Sequence, residues 1–165
     1  MSDNLKASLA LIPLFLLFVS IQNGTGQTTS INKAVAERYF EEVVNNRKLD
    51  LLDKIYADSF LVHVLNDSTE SYKTIATQRD FLTYLFTAFP DIHYTIGDIF
   101  AEEDRVVMRV TLTATHKNEF WGYKASGNRI RYLSEIFFFR FENGRIRETW
   151  VQLDLYTLFK RLASQ

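Results

Sequence analysis

RIRYLSEIFFFRFENGRIRETW, residues 129–150, decides the fold. Its apolar residues recur at every second position on either side of Asn143-Gly144. Period 2 belongs to a strand with a buried face, and Asn-Gly accepts the positive φ of a tight hairpin turn. The stretch predicts two antiparallel strands, Arg129–Phe141 and Arg145–Tyr156, joined at Glu142-Asn143-Gly144. One face of the first reads Leu133, Glu135, Phe137, Phe139, Phe141. A carboxylate among Phe rings is costly to desolvate unless it is paired or its pKa rises, which makes Glu135 the first candidate for chemistry.

Upstream the period of 2 continues. Ile92–Ala101 and Arg105–His116 read as strands turned at Glu102-Glu103-Asp104, and Lys117–Asn128 reads as a longer loop. In the second of these strands Val106, Met108, Val110, Leu112, Ala114 and His116 share a face. Before Pro90 the period is near 3.6. Ile31, Val35, Tyr39 and Val43 mark a helix from about Asn32 to Asn45, and Leu49, Leu52, Ile55 and Tyr56 a short second one. Phe81, Leu82, Leu85, Phe86 and Phe89 mark a third helix, with Thr77 as its expected cap and Pro90 as its stop. Leu155–Ala163 closes the chain with a last helical turn. Helices ahead of a run of strands predict one α+β domain, with the helices packed on one face of a curved antiparallel sheet. Ile136 and Phe138 stand opposite Phe137 and Phe139, so the outer face is also apolar and marks a homodimer interface.

Composition narrows the function. The chain has 165 residues, one domain's worth, of which 47% are apolar and 15% aromatic. That aromatic share points to a cavity for a small hydrophobic molecule. With 19 Lys+Arg against 20 Asp+Glu there is no basic excess to neutralise phosphates, so nucleic acid is not an expected partner. Without Cys the chain has no disulfide, no thiol nucleophile and no Cys–zinc site. His63, His93 and His116 lack metal-binding spacing, so no metal site is expected. At the start, Ala7–Ile21 is an uncharged, mostly apolar run, shorter than the ~20 residues that span a bilayer, with Lys6 before it and Gly24 and Gly26 after it. It predicts a signal peptide over residues 1–26 and an exported (secreted or periplasmic) domain over 27–165. An uncleaved membrane anchor is the alternative.

The last strand places Trp150, Gln152 and Asp154 on one face. If the faces converge, Glu135, His116, His63 and Asp154 line one pocket as catalytic residues, with Trp150, Gln152, Phe120, Trp121 and Phe137 against the ligand. Structural readings stand beside these. His116 can be a hydrogen-bonded residue at the sheet margin. Glu135 can face outward, paired with Arg129, Arg131 or Arg147. Asp154 can cap the last helical turn.

Motifs in order along the chain resemble one family. Asn32–Val35 through Phe40–Val43 is similar to the opening helix of SnoaL-like proteins, the polyketide-cyclase and ester-cyclase group of the nuclear transport factor 2-like superfamily. Tyr56-Ala57-Asp58-Ser59-Phe60 with His63 resembles that group's YAxxFxxH stretch. Phe89-Pro90-Asp91, Thr115-His116 with Glu119-Phe120-Trp121-Gly122, and Phe139–Ile146 followed by Glu148, Trp150 and Asp154 continue the set. The resemblance implies a cone-shaped α+β barrel, three helices on a strongly bent antiparallel sheet around an apolar pocket, and dimers through the outer sheet face. It implies an Asp or Glu helped by His as general acid/base, without metal or organic cofactor. An Asp of the group is Phe137 here, and Glu135 occupies the place where some relatives carry Glu. The expected function is a cofactor-free acid/base enzyme of cyclase, isomerase or hydrolase type acting on a small hydrophobic carbonyl, ester or lactone compound. The alternative is an exported non-catalytic module that binds a small hydrophobic ligand.

Overall fold

The computed structural model describes residues 26–64 and 71–163. Helix α1 covers 26–38 and widens into π-helical turns over Tyr39–Asn45. After a 3₁₀ turn at Leu49–Leu51 come α2 (Leu52–Ile55), β1 (Tyr56–Val64), β2 (Ser71–Thr74) and α3 (Ile75–Ala88). Strands β3 (His93–Glu102), β4 (Arg105–Thr115), β5 (Arg129–Glu142) and β6 (Arg145–Leu153) follow, and α4 (Leu155–Ala163) ends the described chain. The six strands form one open, mixed sheet in the order β2-β1-β6-β5-β4-β3. Helices lie against its inner face, so the α+β class and the helix-on-curved-sheet architecture hold.

Three expectations are corrected. The sheet is not wholly antiparallel, because β1 runs parallel to β6. Strands β1 and β2 escape a reading by local period, since the helical spacing of Leu52, Ile55 and Tyr56 runs straight into β1. The cap of α3 is Thr74: its hydroxyl accepts the Thr77 N–H while the Thr77 hydroxyl accepts the Thr74 N–H. Helix α1 is also already formed at residue 26, ahead of its apolar stripe. Polar anchors carry that first stretch, such as the Asn32 amide donating to the Glu103 carbonyl at 3.4 Å. The expected signal peptide falls, but for Gly26, outside the described residues. Among the described residues no helix is long and apolar enough to cross a membrane.

The π-turns of α1 bring Tyr39, Phe40, Val43 and Val44 together into the core. Phe40 meets Phe137 with ring centroids 5.0 Å apart and Tyr94 at 5.3 Å, joining α1 to β5 and β3. At the end of the turns the Asn45 side chain acts as a short strand edge. Its Nδ2 donates to the Tyr94 carbonyl and its Oδ1 accepts the Tyr94 N–H, both at 2.8 Å. Arg47 then donates to the carbonyls of Val44, Pro90 and Ile92 and lies over the Phe86 ring. These contacts lock α1 to the start of β3.

Candidate active site

Between α1, α3 and the inner sheet face lies a cavity of about 300 Å³. Its wall is mostly apolar, with Phe40, Leu82, Leu112 and Phe137 among the lining residues. Six buried polar side chains break that wall: Tyr39, Tyr56, Gln78, Tyr94, Glu135 and Thr149. Glu135 sits on β5 across from Val110 of β4 and Leu153 of β6, and is 4% exposed. It points inward, and among the described residues no arginine pairs with it. Its hydrogen-bond partner is the Tyr94 hydroxyl, 3.3 Å from Oε1.

Burial pushes the Glu135 carboxyl up to about 8, while the Tyr94 hydrogen bond pulls the other way. A carboxyl with that pKa is mostly neutral at pH 7 yet can exchange a proton there. The Tyr94 phenol is raised well above its usual range by burial and then by the Glu135 charge. Tyr94 therefore stays protonated and acts as a donor. Its place follows from the Asn45 clamp on its backbone and from strand parity, which gives it the same side as Leu112, its partner on β4.

Of the residues expected to act, Glu135, Phe137, Phe120 and Trp121 line the cavity. Phe120 and Trp121 sit on a tight turn, with Trp121 at φ 51° and Gly122 at φ 84°. The Glu119 carboxylate accepts the Gly122 N–H, and the Tyr84 hydroxyl accepts the Trp121 N–H at 2.6 Å. The turn is thereby held over the cavity, with Phe120 buried and Trp121 47% exposed.

The expected convergence of Glu135, His116, His63 and Asp154 does not occur. His116 follows the far end of β4, away from Val110 and Glu135. It is fully buried against Phe89, with the Ser126 N–H donating to its Nδ1 at 3.3 Å. Burial lowers its pKa, so it is a neutral post that organises the 117–128 loop. His63 stands on the outer face. It stacks on Trp150 with centroids 4.8 Å apart, and its Nε2 lies 3.1 Å from Glu148. Glu148 also accepts from Arg140 at 2.6 Å. Burial works against the Glu148 carboxylate, but the Arg140 and His63 hydrogen bonds outweigh it and hold its pKa below the usual range. Trp150 and Gln152 share that outer face, opposite Phe138 and Ile136. Asp154 caps α4 instead: its carboxylate accepts the Thr157 hydroxyl at 2.6 Å and the Thr157 N–H at 2.9 Å, bonds that lower its pKa.

One extra residue in β6 explains the misplaced pair. Phe141 pairs with Ile146 but Arg140 pairs with Glu148, so Arg147 is a bulge. The bulge reverses the parity, and Thr149, Val151 and Leu153 turn inward in place of Trp150 and Gln152. Tyr39, Gln78, Tyr94 and Thr149 are not singled out by sequence. For Tyr94 a signal existed in its alternation with Ile92 and Ile96. For Thr149 none did, because the bulge alone turns it in.

No curated protein sequence matches the chain. Solved structures do. A protein provisionally assigned as a SnoaL-like polyketide cyclase from Jannaschia sp. CCS1 superposes with a TM-score of 0.76 at 19% identity, over 84% of this chain and 95% of that one. One provisionally assigned as a polyketide cyclase from Acidithiobacillus ferrooxidans gives 0.70 at 27% identity, over 80% and 94%. AclR of Streptomyces galilaeus, provisionally assigned as a hydroxylase, gives 0.69 at 27% identity, over 81% and 96%. The family model for SnoaL-like polyketide cyclases matches residues 34–162, nearly all of the described chain. The chain belongs to the SnoaL-like polyketide cyclase family.

Proposed function

We propose that the protein is an acid/base enzyme of cyclase, isomerase or hydrolase type, working without a cofactor on a small hydrophobic carbonyl, ester or lactone compound. The observation that carries this reading is Glu135: a carboxyl buried in an apolar cavity, hydrogen-bonded to Tyr94 and raised to about 8. Such a group takes and returns a proton near neutral pH. The mostly apolar wall sets the substrate's character, and the turn carrying Phe120 and Trp121 covers it. His116, Asp154 and His63 have structural partners and no place in this mechanism. Turnover of small ketones, esters and lactones by Glu135→Gln is the test. A non-catalytic binding module for a hydrophobic ligand is the second reading, favoured by the preponderance of apolar wall.

The domain is proposed to act outside the cytoplasm after loss of residues 1–26. Mass spectrometry of protein from its native host is expected to find a mature N-terminus near residue 27, and an intact Met1 or Ser2 terminus would refute this. The protein is also proposed to be a homodimer. Its outer sheet face aligns Phe100, Val107, Phe138 and Trp150 in one row, and Phe100 is 70% and Ile136 44% exposed. An apolar sheet face of this kind calls for a cover. Light scattering at tens of micromolar is expected to give twice the chain mass, and Ile136→Glu the monomer. A wild-type monomer would remove the interface.

A further inference from the structure

On the cavity wall, the Gln78 Nε2 donates to the Tyr39 hydroxyl oxygen at 3.3 Å. The Tyr56 phenol turns to the same oxygen, and the two rings meet edge-on at 5.4 Å. Beyond Tyr56 the Thr149 hydroxyl makes no hydrogen bond of ordinary geometry, although the residue is only 3% exposed. All four groups line the cavity that holds Glu135. The Tyr39 oxygen already accepts from Gln78 and shares one hydrogen bond with the Tyr56 phenol, so one of the two phenol protons is left to face the cavity. A buried donor without an acceptor is costly unless a ligand supplies one.

We infer that the Tyr39 hydroxyl donates to the carbonyl oxygen of the substrate, with Gln78 and Tyr56 positioning it, so that the substrate is a ketone or ester whose carbonyl oxygen lies at Tyr39 and whose α-carbon lies at Glu135. This rests on the proposed role of Glu135. Burial, against the pull of Tyr56 and Gln78, raises the Tyr39 phenol to about 12, so it keeps its proton and serves as a donor. Tyr39 is also near enough to feel the Glu135 charge.

The step balances. The Glu135 carboxylate takes the α-proton, the C–H electron pair forms the enolate double bond, and the carbonyl pair moves onto oxygen, where the Tyr39 O–H bonds it. Glu135 then returns its proton. In isomerisation the proton goes to another carbon of the enolate. In ring closure the enolate carbon attacks a second carbonyl, and the resulting alkoxide takes the proton. A preorganised donor at developing charge is worth most in such a dry site.

The 4-nitrophenolate ion tests this without any turnover, because it presents an enolate-like oxygen whose visible absorbance reports its ionisation. Wild type and Glu135→Gln are expected to bind it as the anion. Tyr39→Phe is expected to bind roughly ten- to a hundred-fold more weakly, the usual worth of a hydrogen bond to a charged group. Gln78→Met is expected to weaken binding in the same direction, and it serves where Tyr39→Phe fails to fold. Unchanged binding in a folded Tyr39→Phe, unchanged binding in Gln78→Met, or a wild type that takes only the neutral phenol would overturn the inference. Failure of the Glu135 role would appear instead as undiminished turnover in Glu135→Gln, with nitrophenolate binding still sensitive to Tyr39.

Discussion

Glu135→Gln is expected to lower turnover by ~10²–10⁴, the usual worth of general acid–base catalysis. The substitution keeps the shape of the side chain, and its amide oxygen can still accept the Tyr94 hydroxyl. What is lost is the exchangeable proton. In the wild type only the ionised carboxyl can remove a proton, and at pH 7 that is roughly a tenth of the molecules for a pKa of about 8. The wild-type kcat/KM is therefore expected to climb with pH up to about 8 and then level off. The variant's residual activity should lack that rise. Steady-state kinetics between pH 5 and 10 measures both. A folded Glu135→Gln with wild-type turnover would take Glu135 out of the mechanism and leave the binding module as the better reading.

The same carboxyl is expected to make stability fall as pH rises. The folded-state pKa of about 8 lies above the ordinary value of 4.5 expected in the unfolded chain. Between those values the folded state binds more protons than the unfolded one, so alkalinity favours unfolding. The contribution is complete below the unfolded value and is lost as pH passes through the folded value. At ~1.4 kcal/mol per unit, the limit is about 5 kcal/mol. Glu135→Gln has no proton to lose and escapes this decline. Urea unfolding at pH 6 and pH 9 is expected to show the variant gaining about 2–3 kcal/mol on the wild type at the higher pH. Parallel curves would mean that Glu135 is hydrated in the folded protein.

How much of this was legible depends on the distance over which each feature is encoded. Strands β3 to β6 show their period of 2 in the sequence, with the Asn143-Gly144 corner between two of them. The inward alternation of Leu133, Glu135, Phe137 and Phe139 could be read directly, since neighbours on one strand take opposite faces whatever surrounds them. Strand β1 was hidden because it pairs with the distant β6, and its own residues merge with a helical spacing. Parity within a strand is local. Which parity on one strand matches which on another depends on register, and one extra residue reverses it.

The sequence alone determined the α+β class, the family, and a carboxylate placed among aromatic rings. Only the tertiary structure decided which groups meet that carboxylate. Arg147 bulges from β6, so Trp150 and Gln152 face outward with His63 while Thr149 turns into the cavity. The π-turns of α1 and the Asn45 clamp bring Tyr39 and Tyr94 to the site from segments far away in the chain. Local periodicity reports how side chains alternate about a single backbone. The cavity is a product of packing between backbones, and packing is set by bulges, helix pitch and side-chain clamps that a repeating pattern does not record.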